Sequence, residues 1–323
     1  MKKAETVQSV LRNGECKIQL LSKREDGSFN AGGKVEAIVR LQLTEALEVR
    51  GLVAKLHGYA KTEWNDSVGP NSFRRGGRQE IINLESKIFR AMSSGVKTYN
   101  AGPHEFRVKF DLPKAVPSSF EGSNGFIRYI LYVLAQTNAK TEMLDPKNVH
   151  VICPLDLNMD PINGVPWHRS ENKDVGLFPC IAGKVSMTLQ VDKRGYCPGE
   201  TIALFGQIHN NSRMVIAFSR CSLIQRVRYL QDKWHDFVEK KSVVSIKHDS
   251  TDPGCTDSWN GDELKIPDDV TTNLDHCRLI QVKYTLKVEV KVRFAKTYEL
   301  LSIVLRMGNI PSTKATRSPF PFQ

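Results

Sequence analysis

The sequence has 323 residues, of which 40% are hydrophobic and 25% charged, and its formal net charge is +11. A chain of this length is expected to form two domains with separate cores, and its composition is that of a folded globular protein. The longest apolar stretch, 126–135, is interrupted by Arg128 and is too short for a membrane-spanning helix, which needs about 20 apolar residues. No apolar run follows the N-terminal lysines, so we expect no secretory signal.

The seven cysteines are scattered, and no two of them form a Cys-x-x-Cys pair. In a chain without a secretory signal, this pattern indicates reduced thiols in the cytosol rather than a disulfide framework. The missing paired spacing also argues against a zinc site. We therefore expect neither structural disulfides nor a bound metal.

The positive charge favours acidic partners, which include nucleic acid, anionic lipid and acidic or phosphorylated peptides. Basic residues are spread along the chain, and the one compact cluster consists of Arg74, Arg75 and Arg78. We predict an exposed basic loop at these residues and take it as a candidate contact for acidic tails or lipid headgroups. An ordinary solvated loop tip would explain the cluster as well.

Alternation of apolar and polar residues predicts strands along most of the chain. In chain order, the predicted strands are 16–20, 35–43, 49–59, 106–112, 126–135, 185–191, 201–209, 222–229, 241–246, 282–294 and 300–305. A short helix is an alternative at 84–92, although Ile88 and Phe89 could equally begin a strand. Many short strands separated by turn residues predict an all-β protein made of sandwiches rather than a βαβ fold.

Two segments of the first half recur in the second half. Residues 29–39 align with 196–206, where an aromatic residue and a glycine-bearing turn precede an alternating strand. Residues 127–133 align with 282–288, which share a basic residue, Tyr, Leu and Val at the same positions. The offsets are about one domain length, so we predict two copies of one sandwich, at 1–155 and 180–312, joined by a Pro- and Gly-bearing linker at 156–179 and followed by a short tail at 313–323.

The sequence contains no Gly-x-Ser-x-Gly, P-loop or Gly-x-Gly-x-x-Gly motif, which are common signatures of hydrolases and nucleotide-binding proteins. His104 and Glu105 resemble the start of a zinc-protease motif, but no second histidine follows at the required spacing. We expect a structural role for His104. Signatures of nucleic-acid binding are also absent, so we expect no enzyme, no cofactor and no nucleic-acid partner.

Ordered segments in both halves of the chain resemble one protein family. They are 49–64, 101–113, 117–122, 125–133, 183–186, 192–202, 210–212, 223–229, 282–284 and 307–311. Together they resemble the N- and C-terminal domains of the arrestin superfamily, and most of all the alpha-arrestins, or arrestin domain-containing proteins. The resemblance implies two tandem immunoglobulin-like (E-set) β-sandwiches in the arrestin fold.

The resemblance also implies a function. Alpha-arrestins are cytoplasmic adaptors, peripheral at the plasma membrane or endosomes, that bind membrane receptors or transporters and direct their endocytic trafficking. They recruit ubiquitin ligases through Pro-Pro-x-Tyr motifs, which this sequence lacks, so we expect any ligase contact to be indirect. The alternative is an arrestin-fold subunit of an endosomal sorting coat, similar to the retromer subunit.

The same resemblance gives roles to individual residues. Cys255 precedes Trp259 at a place similar to that of a loop cysteine in the thioredoxin-interacting branch, which makes it a candidate redox thiol. We expect this thiol to be exposed, and Cys197 and Cys277 to be buried within strands.

Five further residues are expected to support the scaffold. Phe120 should fill the core, and the buried rings of Tyr129 and Tyr284 should place their hydroxyls at a polar partner. Pro198-Gly199 should form a tight turn.

Overall fold

The computed structural model of the protein describes residues 14–68, 71–90, 95–176, 183–272 and 274–313. The secondary structure in these ranges consists of strands β1–β21 and two 3₁₀ turns, Leu157–Met159 and Pro161–Gly164. The chain divides into two compact units. The first contains Met1–Cys153, Tyr229–Phe237 and Leu274–Ile280, and the second contains Pro154–Arg228, Val238–Asn273 and Gln281–Gln323.

In the described residues up to Cys153, the first unit contains the strands β1 (Gly14–Leu20), β2 (Phe29–Asn30), β3 (Lys34–Leu43), β4 (Leu47–Val49), β5 (Gly51–Val68), β6 (Asn71–Arg90), β7 (Lys97–Tyr99), β8 (Gly102–Asp111), β9 (Phe120–Gly122), β10 (Gly125–Gln136), β11 (Thr141–Val149) and β12 (Val151–Ile152). One sheet has the order β1-β3-β8 and another the order β11-β10-β5-β6, with β9 also paired to β10. Two small pairs, β2 with β12 and β4 with β7, complete this part of the fold.

The core of the first unit follows from the alternation along its strands. In β10 every second residue is buried, and Ile127, Tyr129, Leu131 and Val133 are each 0% exposed. Burying one side chain of this size contributes about 1.5–3 kcal/mol before conformational entropy is subtracted. The pairing of β10 with β5 in one register therefore determines which face of both strands is inside.

The second unit contains the strands β13 (Trp167–Val175), β14 (Gly183–Val191), β15 (Gly195–Tyr196), β16 (Thr201–Asn211), β17 (Ile216–Leu230), β18 (Asp236–His248), β19 (Thr256–Lys265), β20 (Ile280–Val292) and β21 (Thr297–Met307). Its sheets have the orders β13-β14-β16-β19 and β15-β21-β20-β17-β18. Its core is continuous across both sheets and includes Trp259, Tyr196 and Leu286, each no more than 1% exposed.

The two units repeat one topology, as the sequence alignment predicts. The order β1-β3-β8 corresponds to β14-β16-β19, and β11-β10-β5-β6 corresponds to β21-β20-β17-β18. The parallel pair of β2 with β12 also has a counterpart in the parallel pair of β15 with β21. In this correspondence Phe29 matches Tyr196 and Tyr129 matches Tyr284, the residues aligned in the sequence. The predicted all-β fold with two copies of one sandwich is confirmed.

One expectation about a single element is wrong, and one segment contains a strand that the sequence does not predict. The helix considered at 84–92 is wrong over its described part, because β6 continues to Arg90 and pairs with β5 along its whole length. The predicted linker 156–179 contains β13, which forms nine residue pairs with β14. Its residues are mostly exposed, so the sequence shows little of the alternation that marks a strand. The domain limits themselves stay a prediction.

Candidate interaction surface

The hairpin of β5 and β6 carries the basic cluster that the sequence singles out. Trp64 lies opposite Arg75, and Asn65 lies opposite Arg74. Since opposite residues share a face and successive residues alternate, Arg75 is on the same face as Trp64. Arg74 and Arg78 are on the other face, together with Tyr59. We call these the Trp64 face and the Tyr59 face.

The three arginines therefore lie on a strand rather than in a loop, and they do not form one patch. Arg75 is half-buried on the Trp64 face, and its Nε lies 2.5 Å from the carboxylate of Asp66. Arg74 forms an ion pair with Glu63 on the Tyr59 face. The guanidinium of Arg78 lies over the ring of Tyr59, 4.4 Å from its centroid.

The ion pairs reduce the positive charge of this hairpin. Hydrogen bonds from Lys61 and Arg74 hold the pKa of Glu63 below its usual value. The partner acids stand nearby in sequence, at 63 and 66, but the register that aligns them with the arginines comes only from the paired strands. Contact of Arg74, Arg75 and Arg78 with acidic tails or lipid stays a prediction.

A segment from the second half of the sequence belongs to the same unit and packs on the Trp64 face. The hydroxyl of Thr62 donates to the carbonyl oxygen of Leu230 over 2.7 Å and accepts from the amide of Gly77 over 3.0 Å. The ring of Phe237 lies 6.5 Å from Trp64 and 6.4 Å from Tyr229, centroid to centroid. These contacts hold both ends of the segment Tyr229–Phe237 against the hairpin.

Trp234 lies in the middle of that segment and is 86% exposed. The carboxylate of Asp232 accepts hydrogen bonds from the backbone amides of Trp234 (2.7 Å) and His235 (2.9 Å), which fixes the turn. Hydrogen bonds from His235 and from the Trp234 amide lower the pKa of Asp232, so the carboxylate that holds the turn stays ionised. Tryptophan is enriched among the residues that dominate binding at protein interfaces, so we take Trp234 as a candidate anchor.

Sequence reasoning missed Trp234. The signal for it was present, because a lone tryptophan stands among polar residues between two predicted strands. What the sequence does not show is that the turn folds against β5 and that Phe73 (49% exposed) and Phe237 (38% exposed) add further accessible aromatic surface in the same unit.

Cys255 lies in the turn between β18 and β19, and its exposure is confirmed. Its amide donates to the carbonyl of Asp252 over 3.1 Å, and its carbonyl accepts from Asn210 over 3.0 Å. The other five described cysteines are buried; for example, burial raises the pKa of the Cys16 thiol to about 12. A redox role of Cys255 stays a prediction, and Cys180 lies outside the described residues.

The two remaining cysteine expectations are confirmed in part. Cys197 and Cys277 are buried, 9% and 4% exposed. Both lie in turns next to strands, not within them.

The scaffold residues also behave largely as expected. Phe120 is buried, and the hydroxyl of Tyr129 donates to the carbonyl of Pro117 over 2.6 Å. Tyr284 reaches the carbonyl of Thr271 over 2.8 Å, and Gly199 has the positive φ of +83° that a tight turn requires there.

His104 has a structural contact. It lies in β8, and its Nε2 is 2.8 Å from the carbonyl oxygen of Asn100.

Across the described ranges, no group of three or more His, Cys, Asp or Glu side chains is arranged to hold a metal. No helix in the same ranges is long and apolar enough to cross a bilayer.

Two sandwiches of equal topology in tandem define the class of two-domain arrestin-fold proteins. A family model of the arrestin (or S-antigen) N-terminal domain matches residues 16–158, and one of the C-terminal domain matches 182–311. The chain belongs to the arrestin family and, within it, to the alpha-arrestins. This membership supports an adaptor function in general, as the family consists of non-enzymatic adaptors.

Named relatives agree with this assignment. The chain is 30% identical over 294 residues to the arrestin domain-containing protein 4 of Mus musculus, an alignment that covers 88% of this chain and 69% of that protein. It is 27% identical over 294 residues to the Homo sapiens protein of the same name, and this alignment also covers 88% of this chain and 69% of that protein. It is 25% identical over 289 residues to the arrestin domain-containing protein 17 of Caenorhabditis elegans, covering 85% and 67%.

Proposed function

We propose that this protein is a non-enzymatic cytoplasmic adaptor that binds the cytoplasmic segments of membrane receptors or transporters and directs their endocytic trafficking. The observation that carries the proposal is Trp234, which is 86% exposed on a turn fixed by Asp232. A trafficking adaptor needs a preformed surface for its cargo, and a rigid aromatic anchor binds at a low cost in conformational entropy.

The chemistry around the anchor suits an amphipathic segment. Trp234 offers apolar contact, and Lys233 next to it in the chain offers a positive charge to acidic residues of the cargo. Phe73, exposed elsewhere in the same unit, would extend the apolar contact. Amphipathic segments of membrane proteins lie at the membrane interface, so an adaptor that binds them would act peripherally, at the plasma membrane or endosomes.

A link to ubiquitination would run through another protein. The 323 residues contain no Pro-Pro-x-Tyr sequence, so ligase contact made by this part of the chain is indirect. An additional contact with acidic lipid would use Arg74 and Arg78, which share the Tyr59 face.

The test is crosslinking and co-purification of the tagged chain from its own cells, comparing the original sequence with Trp234→Ala. Loss of an interface tryptophan typically costs 2 kcal/mol or more, or roughly 30-fold in affinity, so we expect receptors or transporters to fall at least tenfold in the variant. Phe294→Ala is the matched control, because Phe294 is also 86% exposed but lies in the second unit.

Two results would count against the proposal. Equal recovery of cargo with Trp234→Ala and with the original chain would show that this surface is not the one used. A fixed stoichiometric set of sorting-coat subunits, without receptors or transporters, would replace the adaptor function with that of a coat subunit.

A further inference from the structure

The end of β18 carries a histidine whose two ring nitrogens both face carboxylates. The Nδ1 of His248 lies 2.7 Å from Oδ1 of Asp257, and its Nε2 lies 3.0 Å from Oδ1 of Asp262. The ring also stacks on Trp259, with the centroids 4.2 Å apart and the planes inclined by 17°. The histidine is thus held from three sides by residues of β19.

Both carboxylates are fixed by further hydrogen bonds. The second oxygen of Asp257 accepts from the hydroxyl of Ser219 on β17 and from the indole N–H of Trp259 over 3.1 Å. The second oxygen of Asp262 accepts from the backbone amide of Asn260 over 3.0 Å. Each aspartate therefore presents its remaining oxygen to His248 in a defined direction.

This geometry specifies the protonation state of the ring. A carboxylate oxygen only accepts hydrogen bonds, so both nitrogens of His248 must donate, and only the imidazolium form has two N–H groups. Among the described residues, the charged groups that act on the ring are Asp257 and Asp262 of β19. From β17, the neutral hydroxyl of Ser219 bonds to Asp257. The neighbouring Lys247 is turned to the ring of Phe218, 4.6 Å from its centroid.

The balance of burial and charge agrees with the geometry. Burial lowers the pKa of His248, but the hydrogen bonds and negative charges of Asp257 and Asp262 outweigh it and raise the pKa above the ordinary value.

We propose that His248 is a proton-controlled latch, which fastens β18 to β19 in its protonated form and loosens when the ring loses a proton. β18 is an edge strand of the five-stranded sheet and β19 an edge strand of the four-stranded sheet, so the latch joins both sheets of the second unit. Loss of one N–H leaves a nitrogen lone pair facing a carboxylate, which repels it. This inference goes beyond the adaptor function and does not depend on it.

The direction of the pH effect follows from the raised pKa. The histidine binds its proton more tightly in the folded chain than in the unfolded one, so its stabilisation is complete below about pH 6.5. It is lost as the pH rises through the higher pKa of the folded state. The attachment of β18 to β19 is therefore strongest in mildly acidic solution. In alkaline solution the attachment is weaker, and the turn 249–255 between the two strands opens more readily.

The first test is NMR titration of the histidine ring signals in the full chain, with His248→Gln to assign the resonance. We expect the pKa of His248 to lie above about 6.5, and its proton affinity to fall about tenfold in Asp262→Asn. The control is His235→Gln, which removes a histidine that pairs with a different carboxylate, that of Asp232, and should leave the titration of His248 unchanged. A pKa at or below 6.5, or no change in Asp262→Asn, would overturn the proposal.

The second test is hydrogen exchange of peptides spanning 246–262 at pH 6 and pH 8, after correction for the chemical exchange rate. The latch predicts a severalfold loss of protection at pH 8 in the original chain, and a much smaller pH effect in Asp262→Asn, where the amide can donate to a neutral ring. Equal protection at both pH values in the original chain would mean that the three residues are only structural.

Discussion

Phe294, in the turn between β20 and β21, has a left-handed backbone with φ of 61° while its ring is 86% exposed. Its neighbours hold the turn, because the amide of Arg293 donates to Val215 over 2.9 Å and Lys291 donates to the carbonyl of Ala295 over 2.7 Å. A residue with a Cβ atom loses roughly 1–2 kcal/mol in this conformation.

We therefore predict that Phe294→Gly raises the free energy of unfolding of the second unit by about 0.5–1 kcal/mol, because relief of strain exceeds the entropy cost of glycine. Segment-resolved hydrogen exchange in urea measures this change. Phe294→Ala keeps the Cβ atom and should give no gain. Equal stability of the two variants would mean that the backbone at 294 is not strained.

Single residues also show where sequence reasoning ends. The burial of Phe120 and the exposure of Cys255 could be predicted, because each follows from local composition. The separation of Arg74 from Arg75 could not, since it depends on the register of β6 against β5. Trp234 became a candidate anchor only through hydrogen bonds to Asp232 and the packing of its segment on β5.

At the scale of elements, alternation found the strands that bury one face and missed those that do not. β10 buries every second residue and was predicted almost to its ends. β6 and β13 are sheet-edge strands with few buried residues. They are held in the extended conformation by backbone hydrogen bonds to the neighbouring strands β5 and β14. Apolar and polar residues alternate along a strand only where one face of the strand is buried and the other is exposed to solvent.

The sheet of β10 and β5 also limits side-chain size at Gly58. A Cβ atom there would lie 2.5 Å from the ring of Tyr129 and 2.8 Å from the side chain of Ile82. Tyr129 has no room to withdraw, because it is fully buried and bonded to Pro117. We predict that Gly58→Ala destabilises the first unit by about 1–3 kcal/mol, measured by urea unfolding, and an unchanged midpoint would contradict this close packing.

For the whole molecule, the repeated topology predicts that the same substitution at matched positions destabilises each unit for the same reason. Tyr129→Phe removes the donor to Pro117, and Tyr284→Phe removes contacts to Gln225 and Thr271. The hydroxyl of Tyr129 and the carbonyl of Pro117 are both buried, and an unpaired buried group costs about 1–3 kcal/mol. The partners of Tyr284 are only part-buried and can bind water instead, so we expect the larger loss from Tyr129→Phe.

These two substitutions lie in different units and share no hydrogen-bond partner, so their effects should add within about 0.5 kcal/mol. Exchange rates in each unit, measured for both single variants and the double variant, test this. Loss of protection in both units from either single change would show that the units unfold together.

The strand β13 has a practical consequence for anyone who divides this protein. A fragment cut at the sequence-predicted boundary, starting at residue 180, would lose β13 and leave the full edge of β14 without its partner. A long unpaired edge of this kind recruits strands from other molecules. Such a fragment should aggregate. One that begins at Pro154 keeps β14 paired and has the charged, mostly exposed β13 as its edge, so it should aggregate less.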